Sequence, residues 1–298
     1  MKKLFNLFDL SQPVDYKTEI LSGLTVAMAL IPEAVAFALI AGLSPLTGLY
    51  AAFVMGLVTS ILGGRPGMIS GATGAVAVVI AALALSHGVE YVFATVILAG
   101  LIQVAAGLLK LGKLMRLVPH PVIFGFVNGL AIIIFMSQLD QFKTPGGEWM
   151  AGQSMYIMLG LVLLTMFIIW GLPKLTKAFP SSLAAILTIF GVVTFFGLDT
   201  RTVGDIASIQ GSFPPFHIPM VPLSWETFML ILPYAGIMAG VGLIESLLTL
   251  NIIDEITETR GSGNKEAVAQ GTANILSGLF SGMGGCAMIG PSLINISA

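Results

Sequence analysis

Long apolar blocks, separated by short polar stretches, occupy almost the whole chain. Each block is long enough for a helix to cross about 30 Å of hydrocarbon. Two apolar segments, 68–86 and 283–298, differ from the rest because glycine and proline interrupt them near their starts. The pattern therefore predicts an all-α integral membrane protein with ten membrane segments. The other eight are spans at 20–43, 45–62, 91–109, 121–138, 154–172, 181–197 and 228–250, and a weaker one at 266–280.

The two interrupted segments predict half-helices that begin inside the membrane after a short extended stretch. A helix that begins there leaves its first N–H groups unpaired and carries about half a positive charge at that end. Two such ends would attract a small anion without any lysine or arginine. Thr73 adds a hydroxyl at the start of the first half-helix, where an N-cap or a ligand is expected. The alternative is that the glycines only allow close helix packing.

Two acids, Glu33 and Glu245, are the only charged residues inside the long apolar blocks. A carboxylate at the bilayer centre costs about 2.5–3.5 kcal/mol on insertion scales, so such residues are usually functional. Glu33 is a candidate proton carrier or cation ligand, and Phe37 lies one turn later on the same helix face. Thr249 lies four residues after Glu245, and a carboxylate beside a hydroxyl suits sodium, which prefers oxygen ligands. For both acids the alternative is a structural hydrogen bond.

Composition and charge set the class of protein and its orientation. Hydrophobic residues make up 56% of the chain and charged residues 9%, which excludes an ordinary soluble domain. If the N-terminus is cytoplasmic, every lysine and arginine except Lys143 and Arg201 falls on the cytoplasmic side, as the positive-inside rule requires. This predicts a multi-pass protein of the cytoplasmic (inner) membrane. Residues 4–10 predict an amphipathic segment at the cytoplasmic interface, and the charged stretch 254–266 is expected to be a cytoplasmic link.

Several kinds of chemistry have no signal in the sequence. Cys286 is the only cysteine, so no disulfide can form within the chain. No basic run predicts a nucleic-acid partner, and no nucleophile–base pair, phosphate loop or zinc spacing predicts an enzyme. No cofactor is expected beyond Na⁺ or H⁺ as a coupling ion. The expected partners are an inorganic anion, the lipid bilayer and a second copy of the chain in a homodimer.

From about residue 9 to residue 296, the chain resembles the SulP, or sulfate permease, family of inorganic anion transporters. The most specific block is DYKTEILSGLTVAMALIPEAVAFALIAGLSPLTGLYAAFVMGLVTSILGG. It is followed in order by MISGATGAVAVVI, KLGKLMRLVPHPVIFGFVNGLAI, GDIASIQGSFPPFHIP, IESLLTLNIIDEITETR, NKEAVAQGTANILSGLFSGMGGCAMIG and SLINI. The resemblance is specific because so many blocks occur in the family's order.

The resemblance implies a fourteen-helix membrane domain of two inverted seven-helix repeats, divided into a core and a gate. Residues 1–298 would then hold helices one to ten, with the first repeat at about 15–200 and part of the second at about 223–298. The last four helices and the family's C-terminal STAS domain are expected to be absent. Pro291 stands where the family often has a polar or basic residue, which removes one N–H donor from the second half-helix.

The same resemblance implies roles for individual residues. Anion binding is expected between the two half-helices, and cation coupling beside them. The implied anion-binding residues are Thr73, Gly74, Phe37, Ala287 and Met288. The implied cation-coupling residues are Glu33, Glu245, Thr249 and Ile289, of which Glu245 and Thr249 would bind sodium.

Together these observations predict secondary active transport of a small inorganic anion, bicarbonate or sulfate, coupled to Na⁺ or H⁺. The sequence leaves two alternatives open. A nucleobase carrier of the same architecture would hold its substrate with the two acids instead of with the helix ends. A truncated, non-transporting membrane fragment would need a partner polypeptide that supplies further helices.

Overall fold

The computed structural model of the protein describes residues 16–111, 120–139, 142–144, 147–176, 181–198, 200 and 213–297. The described residues form ten helices and two short strands. The first elements are α1 Tyr16–Ile40, α2 Pro45–Leu62, β1 Ile69–Gly71, α3 Gly74–His87 and α4 Val89–Leu108. They are followed by α5 His120–Leu139, α6 Gln153–Leu175 and α7 Ser181–Phe196. The last are α8 Trp225–Thr257, α9 Gly263–Leu279, β2 Cys286–Met288 and α10 Ile289–Ser297.

The helices follow the apolar blocks of the sequence. Helices α1, α2, α4, α6 and α8 are long and apolar enough to cross a membrane, and α3 is a shorter apolar helix. The predicted span at 45–62 coincides with α2, and each predicted half-helix is a short strand followed by a helix. The amphipathic segment predicted at residues 4–10 lies outside the described residues.

Helix α8 is longer than the apolar pattern predicts. The predicted span ends at residue 250, but α8 continues to Thr257, and its C-cap residue Glu258 has a left-handed φ of 53°. The added residues include the acids Asp254 and Glu255, so hydropathy does not identify this turn as part of the span, yet Ile253 is 1% exposed and packs against the protein. The charged stretch expected as a cytoplasmic link is therefore largely helical. Its last residue, Glu266, is buried in the first turn of α9.

The chain folds as two compact units. The first holds residues 1–122 and 210–298. In it, α4 and α9 pack at backbone distance: a Cβ on Gly100 would lie 2.5 Å from the carbonyl oxygen of Gly271. A Cβ on Gly271 would lie 2.6 Å from the carbonyl oxygen of Gly100. Such small residues are typical of helix pairs in membranes, where they let two backbones approach closely.

The second unit holds residues 123–209 and contains α6 and α7, which pack against each other. Apolar side chains of both helices, such as Leu161, Ile189 and Phe190, line a cavity of about 430 Å³. Large apolar side chains on the outside, Phe167 and Trp170 among them, are exposed. A helix with so many exposed apolar side chains suits a lipid surface rather than water.

Candidate functional site

The two interrupted segments meet as a pair of short antiparallel strands in the first unit. In the register of β1 and β2, Ser70 lies opposite Ala287 and Gly71 lies opposite Cys286. Gly285 permits this contact because a Cβ there would lie 1.8 Å from the carbonyl oxygen of Gly71. The pairing gives partners to extended backbone groups that would otherwise be unsatisfied inside a membrane.

A helix begins just after each strand. Thr73 is the N-cap of α3, and its hydroxyl oxygen accepts a hydrogen bond of 3.4 Å from the N–H of Val76. Helix α10 begins at Ile289, the residue that follows β2. Pro291 in its first turn has no N–H, so α10 offers fewer backbone donors than α3. Both N-termini, with their partial positive charges, therefore lie at the strand pair.

The pairing has the local symmetry expected of an inverted repeat. Because the strands are antiparallel, α3 and α10 leave the pair at opposite ends. Gly71 and Cys286 face each other, and each helix begins the same number of residues later, α3 at Gly74 and α10 at Ile289. A two-fold axis through the Gly71–Cys286 pair would therefore place one helix start on the other. Transporters built from inverted repeats bind their substrates at the interface of the repeats.

A line of polar side chains joins the start of α3 to α8. The Oγ1 atom of Thr73 lies 3.3 Å from the Sγ atom of Cys286. The thiol donates a hydrogen bond of 2.9 Å to Oε2 of Glu245. Thr73 and Cys286 are buried and Glu245 is half-buried. The sequence alone does not reveal this position of Cys286, because the contact depends on how the strands pair.

Helix α8 also holds β2 through two hydroxyl groups. The Ser246 hydroxyl oxygen accepts a hydrogen bond of 3.0 Å from the N–H of Ala287. The Thr249 hydroxyl lies 2.8 Å from the carbonyl oxygen of Glu245 and 3.3 Å from that of Ala287. A hydroxyl and two carbonyl oxygens thus cluster beside Glu245, and oxygens are the ligands that hard cations prefer.

Glu33 and Phe37 lie on α1, which packs against both α3 and α10. Phe37 is buried, and Glu33, directly after Pro32 in the helix, is half-buried. The carboxylates of Glu33 and Glu245 lie within electrostatic range of each other. The two acids, far apart in the sequence, therefore share one electrostatic environment.

The predicted site residues thus fall into three groups. One group forms the strand pair and the helix starts, a second makes hydrogen bonds to it from α8, and the third lies on the neighbouring α1. The first group is Thr73, Gly74, Ala287, Met288 and Ile289; the second is Glu245 and Thr249; the third is Glu33 and Phe37.

Asn274 of α9, which the sequence analysis did not single out, fixes the backbone just before β2. Its amide oxygen accepts a hydrogen bond of 2.9 Å from the N–H of Gly285. Its amide nitrogen donates to the carbonyl oxygen of Gly285 at 3.0 Å and to Oε1 of Gln103 at 2.8 Å. The side chain therefore pairs with Gly285 as a neighbouring strand would.

A buried acid of α9 supports the segment that leads into β1. Glu266 accepts hydrogen bonds of 2.7 Å from the N–H of Gly64 and from Nε2 of Gln270. The Gln270 amide also donates to the Ser70 hydroxyl of β1 at 2.7 Å. The signal that identifies these residues is their spacing: Glu266, Gln270 and Asn274 are four apart, so they share one face of α9.

Comparison with protein families gives one match over most of the chain. The model of the sulfate permease family matches residues 16–145 and 148–298. YbaR of Bacillus subtilis (strain 168), a protein named for sulfate transport, is 51% identical over 282 residues. That alignment covers 95% of this chain and 57% of YbaR. The bicarbonate transporter BicA of Synechocystis sp. is 34% identical over 302 residues, which cover 94% of this chain and 53% of BicA. The chain thus spans little more than half the length of these relatives.

Solved structures confirm the predicted fold class. The transmembrane domain of a cyanobacterial bicarbonate transporter BicA superposes with a TM-score of 0.80 at 30% identity. The match covers 96% of this chain and 78% of that domain. Murine Solute Carrier 26 family member A9, an anion transporter in the inward-facing state, superposes with a TM-score of 0.76 at 16% identity. This match covers 99% of this chain and 56% of that protein. Because the identity is so low, the match supports a shared fold and nothing more.

Proposed function

Because this chain belongs to the sulfate permease family, we propose that it transports a small inorganic anion, sulfate or bicarbonate, across a membrane. Members of this family are membrane transporters and not enzymes. Relatives named for sulfate and for bicarbonate transport align with almost the whole chain. We propose that transport is secondary active, is coupled to Na⁺ or H⁺, and occurs in a homodimer in the inner membrane with a cytoplasmic N-terminus.

The observation that carries the proposal is the meeting of two helix N-termini at the strand pair. Helices α3 and α10 begin inside apolar segments, and the first N–H groups of a helix have no partner within it. Each terminus carries about half a unit of positive charge, so the two together supply about one unit. That field, with free N–H donors and the Thr73 hydroxyl, is the chemistry that binds a small anion.

The positive field does not need a basic side chain. Arg65 is the one basic side chain that the described residues bury, and its Nη1 lies 3.3 Å from Oδ1 of Asp254. Its Nη2 also contacts the Thr257 hydroxyl. The charge of Arg65 is therefore balanced locally, and the attraction for an anion is left to the helix ends.

The proposed roles follow the three groups of site residues. Thr73, Gly74, Ala287 and Met288 would bind the anion, with Phe37 as an apolar wall. Sodium would bind beside α8, and the oxygen atoms that support this are the Thr249 hydroxyl and the Ala287 carbonyl oxygen, 3.3 Å apart next to Glu245. Ile289 would border that site, and Glu33 would carry a proton or balance the charge of a cation.

Thr73→Val is expected to weaken anion binding roughly 10- to 150-fold, because a hydrogen bond to an ion is worth about 1.5–3 kcal/mol. Thr73→Ser keeps the hydroxyl and should bind as the wild type does. Ser224→Ala removes an N-cap far from the strand pair, at the start of α8, and controls for the loss of a cap alone. Isothermal titration with sulfate and with bicarbonate measures the affinities. Equal affinity of Thr73→Val and wild type would contradict the assignment.

Uptake by proteoliposomes tests the whole proposal. Labelled sulfate and bicarbonate are supplied at varied sodium concentration and pH, and accumulation of either anion against its gradient supports the proposal. If uracil or xanthine competes for binding to the protein, and sulfate and bicarbonate do not, a nucleobase carrier would be favoured. Co-purification of a second polypeptide, with no uptake by this chain alone, would favour a subunit that needs a partner.

A further inference from the structure

A buried thiol lies between the acid of α8 and the start of α3. The Sγ atom of Cys286 is 2.9 Å from Oε2 of Glu245 and 3.3 Å from Oγ1 of Thr73. The side chain is fully buried, and its backbone is fixed by pairing with Gly71. The thiol is therefore a direct contact between a residue assigned to cation coupling and a residue assigned to the anion.

The hydrogen bonds along this line of side chains all run in the same direction, from Thr73 to Cys286 and from Cys286 to Glu245. The thiol donates its hydrogen to Oε2 of Glu245, and an ionised carboxylate there can only accept. The lone pairs of the sulfur then face Thr73, whose oxygen already accepts from the N–H of Val76. The hydroxyl hydrogen of Thr73 is therefore directed at the sulfur, which is a weak acceptor.

We propose that Cys286 is a positioning residue that couples the charge of Glu245 to the anion-binding end of α3. While the carboxylate holds the thiol hydrogen, the Thr73 hydroxyl donates to sulfur and not toward the helix end. A cation that balances the charge of Glu245 weakens its hold on the thiol, and the Thr73 hydroxyl becomes free to donate to an anion. This inference rests on the proposed function and adds the contact through which its two sites communicate.

The coupling must act in both directions. An anion is a stronger acceptor than sulfur, so the Thr73 hydroxyl donates its hydrogen bond to a bound anion. The hydrogen bond from Thr73 to the sulfur is then lost. Hydrogen bonds in such a chain polarise one another, so the hydrogen bond from the thiol to Glu245 then weakens. Coupling between sites typically changes affinity by about 5- to 150-fold, and a single thiol contact belongs at the lower end of that range.

Infrared spectroscopy reads this contact directly. Cys286 is the only cysteine of the chain, so its S–H stretching band reports on one hydrogen bond. Glu245→Gln is expected to shift the band toward that of a free thiol. Glu226→Gln, which changes an exposed acid of the same helix, should leave the band where it is. Saturating sulfate or bicarbonate should shift the band in wild type and in Thr73→Ser, but not in Thr73→Val.

Anion affinity gives the second readout. Glu245→Gln is expected to tighten anion binding about fivefold in the wild-type background and less than about twofold in Cys286→Ala. Cys286→Ser keeps a donor of similar size and should restore the fivefold effect. An equal effect of Glu245→Gln in the wild-type and Cys286→Ala backgrounds would overturn the role of Cys286. A band that stays fixed while the anion binds would also overturn it. Absence of anion binding to the wild type would overturn the proposed function and this inference with it.

Discussion

Gly285→Ala is expected to abolish anion binding and to reduce the free energy of unfolding by about 3 kcal/mol, the cost of forcing backbone apart in a packed core. A Cβ on Gly285 would lie 1.8 Å from the carbonyl oxygen of Gly71 and 2.6 Å from its carbonyl carbon. Both neighbours are backbone atoms, so the two segments must separate. The separation moves the start of α10 away from the start of α3. Denaturant unfolding in detergent measures the stability, and titration with sulfate or bicarbonate measures the binding.

Gly240→Ala is the matched control for this substitution. Gly240 lies in α8, where an added Cβ meets open space. Alanine is also the better helix former by about 1 kcal/mol. The control should therefore bind anions as the wild type does and be at least as stable. Wild-type binding by Gly285→Ala would mean that the two broken segments do not meet as described, and the site would have to be placed elsewhere.

Glu33→Gln is expected to abolish the dependence of anion uptake on the sodium or proton gradient. Glutamine has the shape of glutamate but can neither carry a proton at this position nor balance the charge of a cation. Anion affinity should change little, because Glu33 lies on α1 and not at the helix starts. Accumulation in proteoliposomes with imposed sodium or pH gradients measures the coupling, and calorimetric titration measures the affinity.

Glu19→Gln is the control for Glu33→Gln, since Glu19 is an exposed acid of the same helix. It makes the same change of charge and should leave gradient-driven uptake intact. If Glu33→Gln kept the pH and sodium dependence of the wild type, Glu33 would have no part in coupling. The half-buried Glu245 would then be the remaining acid of the site to test.

The sequence predicts the fold well wherever hydropathy changes sharply. The bounds of α2 follow from an apolar block between Pro45, which favours a helix start, and Gly63, which favours its end. At the end of α8, hydropathy does not give the helix bound, because charged residues continue the helix there. Their packing, shown by the burial of Ile253, is a tertiary effect that residue types alone do not reveal.

Part of the site is also readable from the sequence. Thr73 before an apolar run, with glycines around it, indicates an N-cap in the membrane, and the structure has this cap. The register of β1 and β2 is not readable, because it joins residues far apart in the chain. Thr73 and Cys286, for example, are separated by 213 positions. The contact between Cys286 and Glu245 therefore appears only in three dimensions.

The polar face of α9 lies between these two cases. Glu266, Gln270 and Asn274 recur at helical spacing, so a periodicity search could find them. Their hydropathy instead makes α9 look like a weak membrane span beside a charged link. Their partners, the backbone groups of Gly64 and Gly285, explain why so many polar side chains are buried there.

The most direct measurement of the central claim is the backbone amide NMR spectrum of isotope-labelled protein during titration with sulfate or bicarbonate. If the anion binds between the two helix ends, the amide resonances of Gly74 and Ala75 in α3 should shift together with those of Ile289 and Gly290 in α10. Both sets should follow a single dissociation constant. Shifts confined to one of the two helices, or found only outside both, would contradict a site that the two helix ends share.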